Sequence, residues 1–283
     1  FRSPDFVFAM EYNPTILRAV HYCRKKKIPF ASWTDGTAHS ERAIGTVQRL
    51  SRKYIIKRAD AFVASSTASM KNQISYGADK SKCFLSYLTV DIEKYLMKKD
   101  HYISRQMIYV GSLIERKGLD LLLDALARLP DDITLVIVGE GQEREILQKQ
   151  AGELGIKDRI RFTGFLEGEE LKKLYHESDL FVLPTREDCF GLVILEAMCA
   201  SLPIVCSKFA DGAYDLLQEG ENGFLVDPYD AAQFAKIIDQ MFTREDLAIM
   251  GKKSYERALE FSFANVARGC VESIEFCLHP GLR

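Results

Sequence analysis

The chain has 283 residues, 47% of them hydrophobic and 28% charged, with a formal net charge of −2. That length suits two domains of ordinary size, and the balance is that of a folded globular protein rather than a disordered one. No apolar run approaches the roughly 18 residues that a membrane-spanning helix needs, and no secretory signal pattern stands at the start. The first residue is Phe1 rather than Met, and Phe6–Met10 reads as a strand almost at once. An upstream portion is therefore expected to be missing.

Apolar, strand-like runs and helix-like patterns alternate along the chain. The first part offers strands at Phe6–Met10, Pro29–Thr34, Ala61–Ser66 and Cys83–Leu88. Helical spacing fills Pro14–Lys27, Glu41–Arg58 and Thr67–Tyr76, with Asn13 as cap and Pro14 at the first helical position. Periodicity is lost between Thr89 and Ser104, a charged stretch read as a linker. The second part restarts at Met107–Gly111 and continues with strands at Ile133–Gly139, Ile160–Gly164, Leu180–Pro184, Pro203–Ser207 and Gly223–Val226. Between them lie helical patterns at Leu119–Leu129, Gln142–Leu154, Glu169–Glu177 and Gly191–Ala200, and helical stretches at Ala231–Phe242 and Ser254–Leu278 close the chain. Strands alternating with helices predict parallel sheets covered by helices. The expected fold class is α/β with two Rossmann-like domains, the first incomplete and the second a complete doubly wound parallel sheet. Boundaries are expected at 1–100, 101–260 and 261–283, the last a helix packing back toward the first domain.

Charge is uneven along this plan. Residues 1–100 hold 18 Lys+Arg against 9 Asp+Glu, and the remainder 20 against 31. The basic part is a candidate for peripheral contact with an anionic membrane face or for a phosphate-bearing acceptor, against the plain alternative of solvated helix faces. No nucleic-acid partner is expected. Seven cysteines, none in a C-x-x-C pair, favour buried free thiols in a reducing compartment over disulfides or a zinc site, and so a cytoplasmic protein, with the inner membrane face as a candidate docking place.

Ligands of open parallel sheets bind beyond the carboxyl ends of the strands, and four such ends carry unusual residues. In Gly111–Gly118, Arg116 and Lys117 stand where a helix should begin, an unfavourable place for cations unless an anion such as a diphosphate binds there. Gly139-Glu140-Gly141 permits a tight turn but is too short for a dinucleotide fingerprint. Beside Gly164, backbone groups could read a base edge while Phe165 packs against the ring. The fourth end, Pro184–Met198, is the most informative. Gly191 lets a phosphate approach a helix start, with Leu192 in the first turn. Glu196 lies about 7.5 Å further along at about 1.5 Å per residue. That spacing suits the ribose of a nucleoside diphosphate, and a carboxylate inside Leu-Val-Ile-Leu-Glu-Ala-Met is seldom buried without a partner. Asp188, before the helix, can hold the hydroxyls of a sugar.

In combination these segments resemble the donor-binding domain of glycosyltransferase family 4, a retaining family with the two-domain GT-B fold. The matching residues are Val110-Gly111, Lys117–Asp120, Gly139–Gly141, Phe162–Gly164, Phe190–Leu192 with Leu195–Met198, Ser201–Val205, Asp211-Gly212, and Asn222-Gly223 with Asp227-Pro228, spanning roughly residues 105–245. Two positions depart from the pattern. Asp188 stands where the first glutamate of the family's paired acids is usual, with Glu187 beside it, and Ser112 replaces an arginine present in many members. The resemblance implies Lys117 as the main phosphate cation, with Arg116 as a substitute. It also implies that the loop after the second strand of the first part lines the acceptor site, where Asp35 and His39 are the candidates; His39 could equally be an exposed loop residue. The activity implied is transfer of a sugar from a UDP- or GDP-linked donor to a saccharide or lipid-linked acceptor, in polysaccharide or glycolipid assembly, with no cofactor or metal. The departing phosphate would assist deprotonation of the acceptor on the same face. No D-x-D motif stands near a strand end. The rival readings are a sugar-nucleotide epimerase, a phosphorylase (for which no pyridoxal lysine is marked) and a non-catalytic nucleotide-sugar-binding fragment.

Overall fold

The structure is a computed structural model that describes residues 3–99, 102 and 104–279. It divides into two compact units: one holds the residues up to Thr89 together with those from Phe263 on, the other is Val90–Ser262.

In the first unit, four strands lie side by side in chain order, all parallel: β1 (Val7–Met10), β2 (Phe30–Thr34), β3 (Ala61–Ala64) and β4 (Cys83–Leu85). The helices between them are α1 (Pro14–Lys26), α2 (Thr46–Ile56) and α3 (Thr67–Ser75). Asn13 caps α1 through its side chain, which accepts from the Ile16 N–H at 3.1 Å, with Pro14 at the first position as expected. The helix predicted from Glu41 starts only at Thr46. Thr37 and Ser40 interlock in a turn, and Glu41 is buried, accepting from Arg52 at 2.7 Å and Asn72 at 3.0 Å, so its side chain serves the loop rather than a helix face.

The second unit contains β5 (Gln106–Val110), α4 (Leu119–Leu126), β6 (Thr134–Val138), α5 (Arg144–Glu153), β7 (Ile160–Gly164), α6 (Gly168–Glu177), β8 (Leu180–Leu183), α7 (Leu192–Cys199), β9 (Ile204–Ser207), α8 (Ala213–Leu216), β10 (Gly223–Val226), α9 (Ala231–Thr243) and α10 (Leu247–Ala258). Its six parallel strands run in the order β10-β9-β8-β5-β6-β7, the doubly wound arrangement whose winding reverses between β5 and β8. Residues of β5, β6, β8 and β9 are buried almost throughout, as strands covered by helices on both faces must be.

The stretch predicted as one helix from Ser254 is two. Ser262 is extended and separates α10 from α11 (Phe263–Leu278), and α11 packs on β2, β3 and β4 of the first unit, with Phe276 edge-on to Phe84 at 5.6 Å. The upstream division falls at Thr89 rather than at 100 because the stretch from Val90 docks on the second unit. Met97 donates to the Cys199 carbonyl at 2.9 Å, Ser201 donates to the Met97 carbonyl at 2.7 Å, and Lys99 pairs with buried Asp179 at 2.8 Å. Positions 100, 101 and 103 of the expected linker lie outside the described residues. Cys23, Cys199 and Cys206 are buried and Cys83, Cys189, Cys270 and Cys277 half-buried, and none of the seven is in a disulfide. Among the described residues no helix is long and apolar enough to cross a membrane.

Candidate functional site

The reversal between β5 and β8 leaves a crevice at their carboxyl ends, and the two loops that start there are residues 111–118 and 184–191. They are stitched together. Arg186 forks onto Asp120 at 2.7 and 2.6 Å and also donates to the Glu115 carbonyl at 2.7 Å. The Arg116 carbonyl accepts from the Arg186 N–H at 2.9 Å and from the Thr185 hydroxyl at 3.1 Å. Arg116 in turn donates to the Glu187 carbonyl at 2.8 Å. Gly118 sits so close that a Cβ there would stand 2.3 Å from the Pro184 carbonyl oxygen, and its φ is +67°.

Lys117 and Asp188 meet in this seam as a hydrogen-bonded ion pair, each side chain largely buried. Of the two adjacent acids, Asp188 is the one that meets Lys117; the carbonyl of Glu187 instead anchors Arg116. The cations do not open a helix, contrary to the expectation. They belong to a separate turn, Glu115–Lys117, and α4 starts after Gly118 with Asp120 in its first turn, so the dipole of α4 is already met by an anion. The start of α7, unlike that of α4, has no anion of its own. Gly191 (φ +78°) precedes α7, and no side chain caps its first turn, which includes Leu192. Those N–H groups stand at the end of the Asp188 loop, where an anion would satisfy them.

Glu196, midway along α7, lines a cavity of about 400 Å³ together with Tyr95, Gly111, Gly139, Phe165 and Val193. Its carboxylate accepts from the Tyr175 hydroxyl at 3.0 Å, and the Tyr95 phenol lines the same cavity beside it. Burial nevertheless holds the Glu196 carboxyl above its ordinary value, against the pull of the two phenols toward the charged form. The carboxylate thus has a protein partner in Tyr175. Gly164 ends β7, its carbonyl accepting from Gly139 at 2.8 Å, and Phe165 after it is 71% exposed at the cavity rim. Leu192 is not among the residues lining the cavity; its neighbour Val193 is. Sequence reading missed Tyr95, Tyr175 and Val193. The available signal was the buried acid of α7, which asks for phenol or amide donors on the elements packed around it.

Asp35 and His39 belong to the first unit, in the loop after β2, and both are half-buried. Glu11, just after β1, is left-handed at φ 67°, and burial together with the neighbouring Asp35 charge holds its carboxyl above the ordinary carboxylate value. The His39 carbonyl accepts from Arg42 at 2.7 Å, and Ser40 pairs with Thr37 in the turn.

The sequence profile of the family described as glycosyl transferases group 1 matches residues 93–257, well over half of the chain. A lipopolysaccharide core biosynthesis glycosyltransferase, LpsE of Rhizobium meliloti, is 36% identical over 138 residues, covering 49% of this chain and 39% of its own. A D-inositol 3-phosphate glycosyltransferase of Corynebacterium urealyticum is 30% identical over 250 residues, covering 80% of this chain and 58% of its own. The chain spans about half the length of the curated relatives it matches. Among solved structures, Anabaena HepE in complex with UDP superposes with a TM-score of 0.84 at 23% identity, over 96% of this chain and 79% of that one, a likeness of fold. Two parallel Rossmann-like sheets of the GT-B kind, the crevice at the β5–β8 reversal and the family match together lead to one conclusion: the chain belongs to the glycosyl transferases group 1 family.

Proposed function

We propose that this chain is a retaining glycosyltransferase of family 4 that binds a UDP- or GDP-linked sugar in the second unit and transfers the sugar to a hydroxyl of a saccharide or lipid-linked acceptor. The observation that carries the reading is the Lys117–Asp188 pair beside the uncapped start of α7 at the β5–β8 reversal, with Glu196 further along the same helix lining a cavity. The diphosphate docks on the N–H groups after Gly191 and on Lys117, which offset the negative charge that grows on the leaving phosphate. As Lys117 turns to phosphate, Asp188 is released to accept from hydroxyls of the donor sugar. Arg116 keeps the Glu187 end of the loop in place. Glu196 accepts from the ribose hydroxyls, and Phe165 with the backbone at Gly164 flanks the base. Asp35 and His39 are assigned to the acceptor.

LpsE is named for lipopolysaccharide core biosynthesis, which supports a role in polysaccharide or glycolipid assembly. The basic first part supports a place at the cytoplasmic membrane face: α2 turns Val47, Leu50 and Tyr54 outward beside Lys53 and Lys57. The HepE structures hold UDP, so UDP-sugars are the first donors to assay. A transfer assay with UDP- and GDP-sugars, run with acceptors free and in anionic vesicles, is expected to give a product whose anomeric configuration equals the donor's. An inverted product sinks the retaining mechanism. Donor binding without transfer or hydrolysis, on this chain and on one extended upstream, sinks the enzyme reading.

A further inference from the structure

We infer that Tyr175 and Tyr95 are positioning residues for the nucleotide ribose: the Tyr175 phenol holds the Glu196 carboxylate by a hydrogen bond, and Tyr95 stands beside that carboxylate in the wall that the ribose meets. The inference rests on the assignment of Glu196 to the ribose.

Tyr175 lies on α6 and is completely buried, its ring packed near Phe181 at 6.4 Å, so its hydroxyl has one fixed direction, toward Glu196 at 3.0 Å. Tyr95 arrives from the stretch before β5. It follows the turn Ile92–Lys94, donates its N–H to the Ile92 carbonyl at 2.9 Å, and is fixed downstream by the Met97–Cys199 and Ser201–Met97 hydrogen bonds. An ionised carboxylate accepts only, with about four lone-pair sites on two oxygens. The Tyr175 phenol occupies part of that capacity and orients the group, with Tyr95 packed beside it; what remains suits the paired hydroxyls of a ribose. Burial keeps both phenols in the donating form, since it raises their ionisation well away from neutrality for Tyr175 and in the same direction for Tyr95. A carboxylate on a helix without such donors would be free to change rotamer, and the loss would fall on the ribose rather than on the phosphates.

The test compares UDP and GDP with their 2′,3′-dideoxy counterparts by calorimetry, on the full chain and on Tyr175→Phe, Tyr95→Phe and Glu196→Ala. Tyr175→Phe is expected to bind the ribonucleotide about five- to tenfold more weakly, the scale of one hydrogen bond, and Tyr95→Phe more weakly by a smaller factor, with the dideoxy affinity unchanged in both. Thermal unfolding of each variant, with and without nucleotide, separates this from a folding defect. Equal losses for ribo and dideoxy forms, or no loss in the Phe variants while Glu196→Ala loses ribonucleotide affinity, overturns the clamp alone. An unaffected Glu196→Ala, or no nucleotide bound by the unaltered chain, overturns the ribose assignment and the clamp with it.

Discussion

Glu196 is pulled in two directions at the scale of single residues. Burial disfavours its charge more than Tyr175 and Tyr95 favour it, so its folded value lies above the ordinary 4.5. Between 4.5 and the raised value the native chain holds a proton there that the unfolded chain has released. More protons bound in the native state means that stability falls as pH rises through this window. Nucleotide affinity moves the other way, because only the carboxylate accepts from ribose hydroxyls; it falls as pH drops through the raised value. Glu196→Gln is expected to remove both slopes and to weaken ribonucleotide binding about tenfold at neutral pH, by denaturant unfolding and calorimetry across pH. A variant that keeps the wild-type acid slope would place the titrating group elsewhere. Lys117 and Asp188 illustrate a different economy: each is satisfied by the other until a ligand offers both something better.

Among the elements, the two loops at the β5–β8 reversal behave as one piece because Gly118 lets them touch. Gly118→Ala puts a side chain in a left-handed conformation against the Pro184 carbonyl, which has no flexible end to yield. A loss of about 1–3 kcal/mol in denaturant stability is expected, with weaker nucleoside diphosphate binding as Lys117 and Asp188 separate. Unchanged values for both would show that the loops are not packed as described. Much at this scale was legible in the sequence. The strands of the second unit read as continuous apolar runs because both of their faces are covered, and Glu196 stood out as a charge within an apolar helix. Tyr95 was hidden because its segment has no periodicity of its own; tertiary hydrogen bonds to Cys199 and Ser201 shape it. Tyr175 was hidden for the opposite reason, as an ordinary inward residue of an amphipathic helix. The helix expected from Glu41 failed because a buried acid serving a loop leaves the same pattern as a charged helix residue.

On the scale of the whole molecule, the chain makes its first unit from both ends of the described sequence and its second from the middle. Phe276→Ala in α11 is expected to lower the unfolding transition of the first unit by about 2–3 kcal/mol while nucleotide affinity in the second is unchanged, as measured by denaturant unfolding and calorimetry. A drop in nucleotide affinity would contradict the division. The connector leaving Thr89 is fastened to the end of α7, the helix that carries Glu196, and Tyr95, which lines the Glu196 cavity, rides on the connector. Tension on this leash is borne by the Cys199 carbonyl at the end of α7 and by Ser201 just beyond it before it reaches the sheet. A nucleotide that locks Glu196 in place stiffens the leash, and a leash drawn away takes Tyr95 with it and slackens the grip on the nucleotide.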